Sequence, residues 1–174
     1  MRLLVVPEKA FPSKPLRLIE AFGSNLPEFA ILSHTWDRDE VSYSDVQHGT
    51  SHDRHAYDKV RGATSQARKD GHRYLWIDTC CIDKSSSTEL QEAINSMYAW
   101  YARAAVCYVY MADVHGTPAT EFWDLAFEDH FARSRWFKRG WTLQELIAPK
   151  KVSFFSSDWT LRGCRGSSMT QSLR

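Results

Sequence analysis

The sequence has almost no excess of charge: 22 Lys and Arg stand against 21 Asp and Glu, a formal net charge of +1. That balance gives the whole molecule no long-range pull toward polyanions, which argues against nucleic acid or an anionic membrane surface as its partner. Long hydrophobic runs are absent too. The longest, Ala104 to Ala112, falls far short of the roughly 20 residues that cross a bilayer. The N-terminal run Leu3 to Val6 is too short for a secretory signal, and no small-residue cleavage site follows it. A soluble, cytoplasmic protein without a membrane span is expected. The four cysteines include no C-x-x-C pair, so neither a metal centre nor a disulfide framework is predicted. Cys80 and Cys81 fall in an apparent strand, which would send their side chains to opposite faces; all four read as small buried residues. Also missing are G-x-x-x-x-G-K-[ST], G-x-G-x-x-G and G-x-S-x-G, and with them a P-loop, a standard dinucleotide fold and a nucleophile elbow. No resident cofactor is called for.

What is present is globular. Its 174 residues, 43% hydrophobic and 25% charged, suit one domain with its own core. Seven Trp suggest flat, rigid walls in a core or pocket. Five short apolar segments read as strands: Leu3–Val6, Phe29–Ser33, Tyr74–Asp78, Val106–Met111 and Val152–Phe155. Most are continuous apolar runs, the pattern of strands covered on both faces. Between them, Tyr57, Val60, Ala63 and Ala67 recur at helical spacing and stop at Asp70-Gly71. A second helix carries the stripe Leu90, Ala93, Ile94, Met97, Tyr98 and Tyr101 behind a Ser86-x-x-Glu89 capping box. A short helix is expected near Phe122–Phe127. The alternation predicts an α/β fold, a mostly parallel sheet of about five strands flanked by helices. From Arg162 onward Gly, Ser and the loss of periodicity predict poor order.

In such a sheet, ligands sit beyond the carboxyl ends of the strands. There this sequence places Ser33, His34 and Trp36 after the second strand, and Asp78 at the end of the third. Ser33, His34 and Asp78 have the residue types of a hydrolase triad, but the elbow is lacking. Downstream, Arg133, Arg135, Lys138, Arg139, Lys150 and Lys151 surround one acid, Glu145. Glu145 lies four residues after Trp141, so on a helix the indole and the carboxylate would share a face. Thr142-x-x-Glu145 is also a capping-box pattern, which would give the acid a purely local task. Residue pattern alone leaves these two open.

Taken together, Ala30–Trp36, Tyr74–Lys84, Glu89–Tyr98, Val106–Tyr110 and Arg135–Leu146 resemble, in order, the fungal heterokaryon-incompatibility (HET) domain. The resemblance covers the chain up to Trp159 and implies a HET domain over 1–160, with 161–174 a poorly ordered or truncated tail. It also implies nonself recognition that triggers programmed cell death, and sensor or partner proteins in that signalling. HET domains look remotely similar to TIR domains, which have a flavodoxin-like sheet and in many cases hydrolyse NAD through one glutamate in a Trp-x-x-x-Glu segment. Trp141 to Glu145 matches that spacing, so the resemblance places a catalytic role on Glu145. NAD then becomes a possible substrate, with Ser33, His34, Trp36, Asp78, Arg139 and Trp141 as its binding residues. A non-catalytic domain that signals as a homo-oligomer, or an inactive fragment, is the alternative. Asp37 departs from the Gly frequent in the family at that position.

Overall fold

The structure, a computed structural model, describes residues 1–8, 15–115 and 130–166. The helix expected near Phe122–Phe127 lies outside these residues. Among them the strands form one seven-stranded sheet in the order β2-β1-β4-β3-β5-β6-β7. These are β1 (Arg2–Val5), β2 (Leu18–Glu20), β3 (Ala30–His34), β4 (Tyr74–Trp76), β5 (Val106–Met111), β6 (Val152–Ser156) and β7 (Leu161–Arg165). The middle four run parallel, with Ile31 opposite Trp76 and Cys107, and Tyr108 opposite Ser153. All residues of β3 and β6 are buried, as their apolar runs require.

The parallel core is therefore the expected α/β sheet, and antiparallel strands close its edges. Residues 161–165, expected to open the poorly ordered tail, form β7 instead. Two arginines and a glycine make this stretch a poor strand by composition, but an edge strand needs mainly its backbone and tolerates charge.

Helix α2 (Tyr57–Lys69) buries Val60, Ala63 and Ala67 and ends at Gly71, whose φ of +82° suits glycine. Helix α4 (Ser87–Arg103) buries Ala93 and Tyr101, whereas Ile94 and Tyr98 of its predicted stripe are exposed. Only half of its capping box forms. Ser86 Oγ accepts the Glu89 N–H, while the Glu89 carboxylate binds Arg2 and the Asp83 N–H. The expected strand from Tyr74 ends early: Asp78–Cys81 is a single helical turn, α3, with Asp78 accepting the Thr79 N–H. Cys80 and Cys81 thus share a buried turn and not a strand, and burial pushes the Cys81 thiol up to about 12. Cys164, by contrast with the sequence reading, is exposed.

Helix α1 (Tyr43–His48) starts from a complete capping box between Ser42 and Asp45 and packs on α3. Burial alone would raise the Asp45 carboxyl; hydrogen bonds from Arg54 and Ser42 outweigh it and bring it down to about 2. A carboxyl depressed on folding stabilises the protein above its ordinary range and loses that contribution as pH falls through the folded value. Asp45 therefore contributes about 2 kcal/mol at neutral pH, lost between about pH 4 and pH 2. Urea unfolding at pH 6 should separate wild type from Asp45→Asn by about that amount, and the gap should shrink steadily toward pH 2.5. A gap that does not change with pH would contradict this.

Candidate functional site

Successive residues of a strand point to opposite faces of the sheet. Ser33 and His34, adjacent at the end of β3, accordingly anchor two different clusters.

On one face, Ser33 Oγ donates to Glu145 Oε2 at 2.6 Å and accepts the Trp136 indole N–H at 2.7 Å. Glu145 belongs to α5 (Thr142–Ile147) and is only 3% exposed. Arg139 grips the same carboxylate with two N–H groups, Nη1 to Oε2 at 2.8 Å and Nη2 to Oε1 at 2.9 Å. Paired, fork-like geometry of this kind is the strongest form of carboxylate–arginine contact. The capping-box alternative is excluded, because Thr142 Oγ1 donates to the Trp136 carbonyl at 2.6 Å and no side chain caps α5.

The tight turn Arg135–Lys138 delivers Trp136 to the interior, starting at Ser134, whose Oγ accepts the Trp136 N–H and donates to Asp113. A fully buried indole needs an acceptor for its N–H, and Ser33 provides it. Trp136 was legible only as one tryptophan in a basic stretch. The sequence expectation had put Trp141 beside the acid, but with Trp136 filling the interior, Trp141 stays 49% exposed. Of the six surrounding cations, Arg139 is the one hydrogen-bonded to Glu145 among the described residues, while Arg135 sits by Asp113.

On the other face, His34 Nε2 lies 2.9 Å from Asp78 Oδ1, and Trp36 Nε1 donates to Asp78 Oδ2 at 2.7 Å. Lys84 Nζ stands 3.5 Å above the Trp36 ring, a cation–π contact on an indole that is 53% exposed. Burial would raise the Asp78 carboxyl, but His34, Lys84 and Trp36 together hold it below the usual range. The buried His34 Nδ1 has no hydrogen-bond partner among the described residues and stands 3.8 Å from Glu40, which pairs with the buried Lys59. Glu40 and Lys59 were not picked out from sequence, since single charges in a loop and on a helix look like ordinary surface.

A Ser33–His34–Asp78 triad does not assemble, because the hydroxyl and the imidazole face apart. Ser33, Arg139 and Glu145 come together; His34, Trp36 and Asp78 come together; Trp141 joins neither set. Among the described residues no group of His, Cys, Asp and Glu is placed to hold a metal ion, and no helix is long and apolar enough to cross a membrane.

The sequence matches the family described as heterokaryon incompatibility protein (HET) over residues 29–130. It is 51% identical over 147 residues to the vegetative incompatibility protein HET-E-1 of Podospora anserina, taking in 83% of this chain and 11% of that protein. The chain thus spans a small part of the length of the relative it matches. No solved structure matches it.

Proposed function

The chain belongs to the heterokaryon incompatibility family, and from that premise we propose that it is a programmed-cell-death module of vegetative incompatibility whose chemistry is NAD hydrolysis at Glu145. Family membership and the extent of identity to an incompatibility protein support the first part. One observation carries the second: a buried carboxylate at the carboxyl end of a central parallel strand, held by a hydroxyl and a guanidinium.

In this reading a ribose hydroxyl takes the place of Ser33 Oγ–H on Glu145. The bond between nicotinamide nitrogen and ribose carbon breaks, its electron pair leaving with the ring, and positive charge develops on the sugar. A fixed carboxylate beside that charge stabilises it, as in glycoside cleavage generally. Water then adds to the sugar carbon and releases a proton. Arg139, whose side chain is 19% exposed, would turn from Glu145 to the pyrophosphate. Trp36, His34 and Asp78 would bind the remainder from the other side of the β3 terminus, and Trp141, exposed at the start of α5, would meet it from the Glu145 side.

A second reading, a domain that signals by self-association, is favoured by the apolar residues exposed on two helices that pack together: Ile94 and Tyr98 on α4, Leu143 and Ile147 on α5. The same sample tests both. Folded protein incubated with NAD should release nicotinamide in proportion to enzyme. No release at tens of micromolar protein, together with concentration-dependent sedimentation, would reject hydrolysis and select assembly.

A further inference from the structure

Away from both clusters, a cavity of about 440 Å³ opens between α2 and the turn joining β6 to β7. Its volume falls within the range of small-molecule pockets. None of its lining residues belongs to the Glu145 or His34 clusters.

One wall is aromatic. Trp159 lies over Gly62 of α2, stacks on Tyr110 at 5.1 Å between ring centroids and leans on Phe155. Its backbone has φ of +61°, at a hairpin position where glycine is usual. The turn thus tolerates strain to keep an indole in this place. The floor is the face of α2 that presents Arg61, Ser65 and Arg68, spaced i, i+4 and i+7 so that they lie in one row.

The cavity also contains two carboxylates, and both are engaged. Asp58 pairs with Arg61 at 3.0 Å, and Asp158 accepts from Ser156 and Thr160. The Arg68 guanidinium and the Ser65 hydroxyl have no hydrogen-bond or ionic partner among the described residues. Donors without acceptors at one end and rings at the other define an acceptor-rich, anionic ligand with a flat body. From Gly62 to Arg68 the helix rises about 9 Å, roughly the span of a base, a sugar and one phosphate.

We propose that this cavity is a separate binding site for a phosphomonoester carrying a flat ring, of mononucleotide size. The phosphate lies on Arg68 and Ser65, with Arg61 beside them, and the ring lies toward Tyr110 and Trp159. This assignment does not depend on the reaction proposed at Glu145.

The test is a titration followed by amide NMR on the intact chain with four probes: AMP, adenosine, ribose 5-phosphate and inorganic phosphate. AMP should shift Gly62, Ser65 and Trp159 and leave Ser33, His34 and Glu145 unmoved, with the partial ligands binding more weakly. Arg68→Gln should weaken AMP about tenfold without lowering the melting temperature, and Arg68→Lys should recover part of the loss. Equal binding of AMP and adenosine would overturn the phosphate assignment. Shifts confined to the Glu145 side, or none at millimolar AMP with a folded spectrum, would overturn the site.

Discussion

Arg139→Ala should destabilise the fold by about 3 kcal/mol, a large effect for one side chain that is partly at the surface. The reason lies with its partner. Glu145 is nearly inaccessible, and both of its oxygens are held by Arg139, with Ser33 the one further side-chain donor among the described residues. Removing the guanidinium leaves a buried anion with one hydrogen bond, and breaking such a pair costs far more than the pair contributes. Arg139→Ala combined with Glu145→Gln should therefore recover most of the loss, because a neutral amide can keep the Ser33 contact without a buried charge. Urea unfolding of the four proteins measures this directly. If the double variant is no more stable than Arg139→Ala alone, the carboxylate is not the uncompensated group.

Gly62→Ala should cost about 2 kcal/mol, opposite in sign to the usual gain of replacing glycine by alanine inside a helix. A Cβ at this position would lie 1.9 Å from Trp159 Nε1 and 2.4 Å from two neighbouring ring atoms. The indole has no easy retreat, since its backbone is fixed in a strained turn and its ring is stacked on Tyr110. Trp159→Gly should itself destabilise through the lost ring contacts, offset by relief of about 1 kcal/mol at the positive φ. In the Trp159→Gly background, Gly62→Ala should become neutral or stabilising. Thermal melts of the two single variants and the pair decide it; an unchanged penalty for alanine in both backgrounds would contradict the packing described.

The parts of this architecture that depend on buried apolar pattern were legible from the residues. Strand β5 has the predicted ends, and β3 and β6 lie within one residue of theirs, because continuous hydrophobic runs between helices have few other solutions. The short helix at Asp78 was not legible. An apolar run into Cys80 and Cys81 reads equally well as a strand, and what ends the strand is the carboxylate of Asp78 engaged by Thr79, His34 and Trp36. Edge strands β2 and β7 escaped for a related reason: they supply backbone pairing and little side-chain burial.

The candidate site divides along the same line. Glu145 and Ser33 were picked out one by one, and their 2.6 Å contact spans 112 positions of sequence, which spacing alone does not reveal. His34 was grouped with Ser33 because they are neighbours in the chain, and strand geometry separates them for that very reason. Trp136 was passed over in favour of Trp141, although only the former has an indole N–H directed at the serine.

The role assigned to Glu145 is tested most directly by comparing nicotinamide release from NAD by wild type and Glu145→Gln at equal folded concentration, each checked by its melting curve. A functional carboxylate predicts that the folded glutamine variant loses at least a hundredfold in turnover while its stability falls by only about 1 kcal/mol. Equal rates from the two folded proteins would mean that Glu145 serves only to fasten α5 to the sheet.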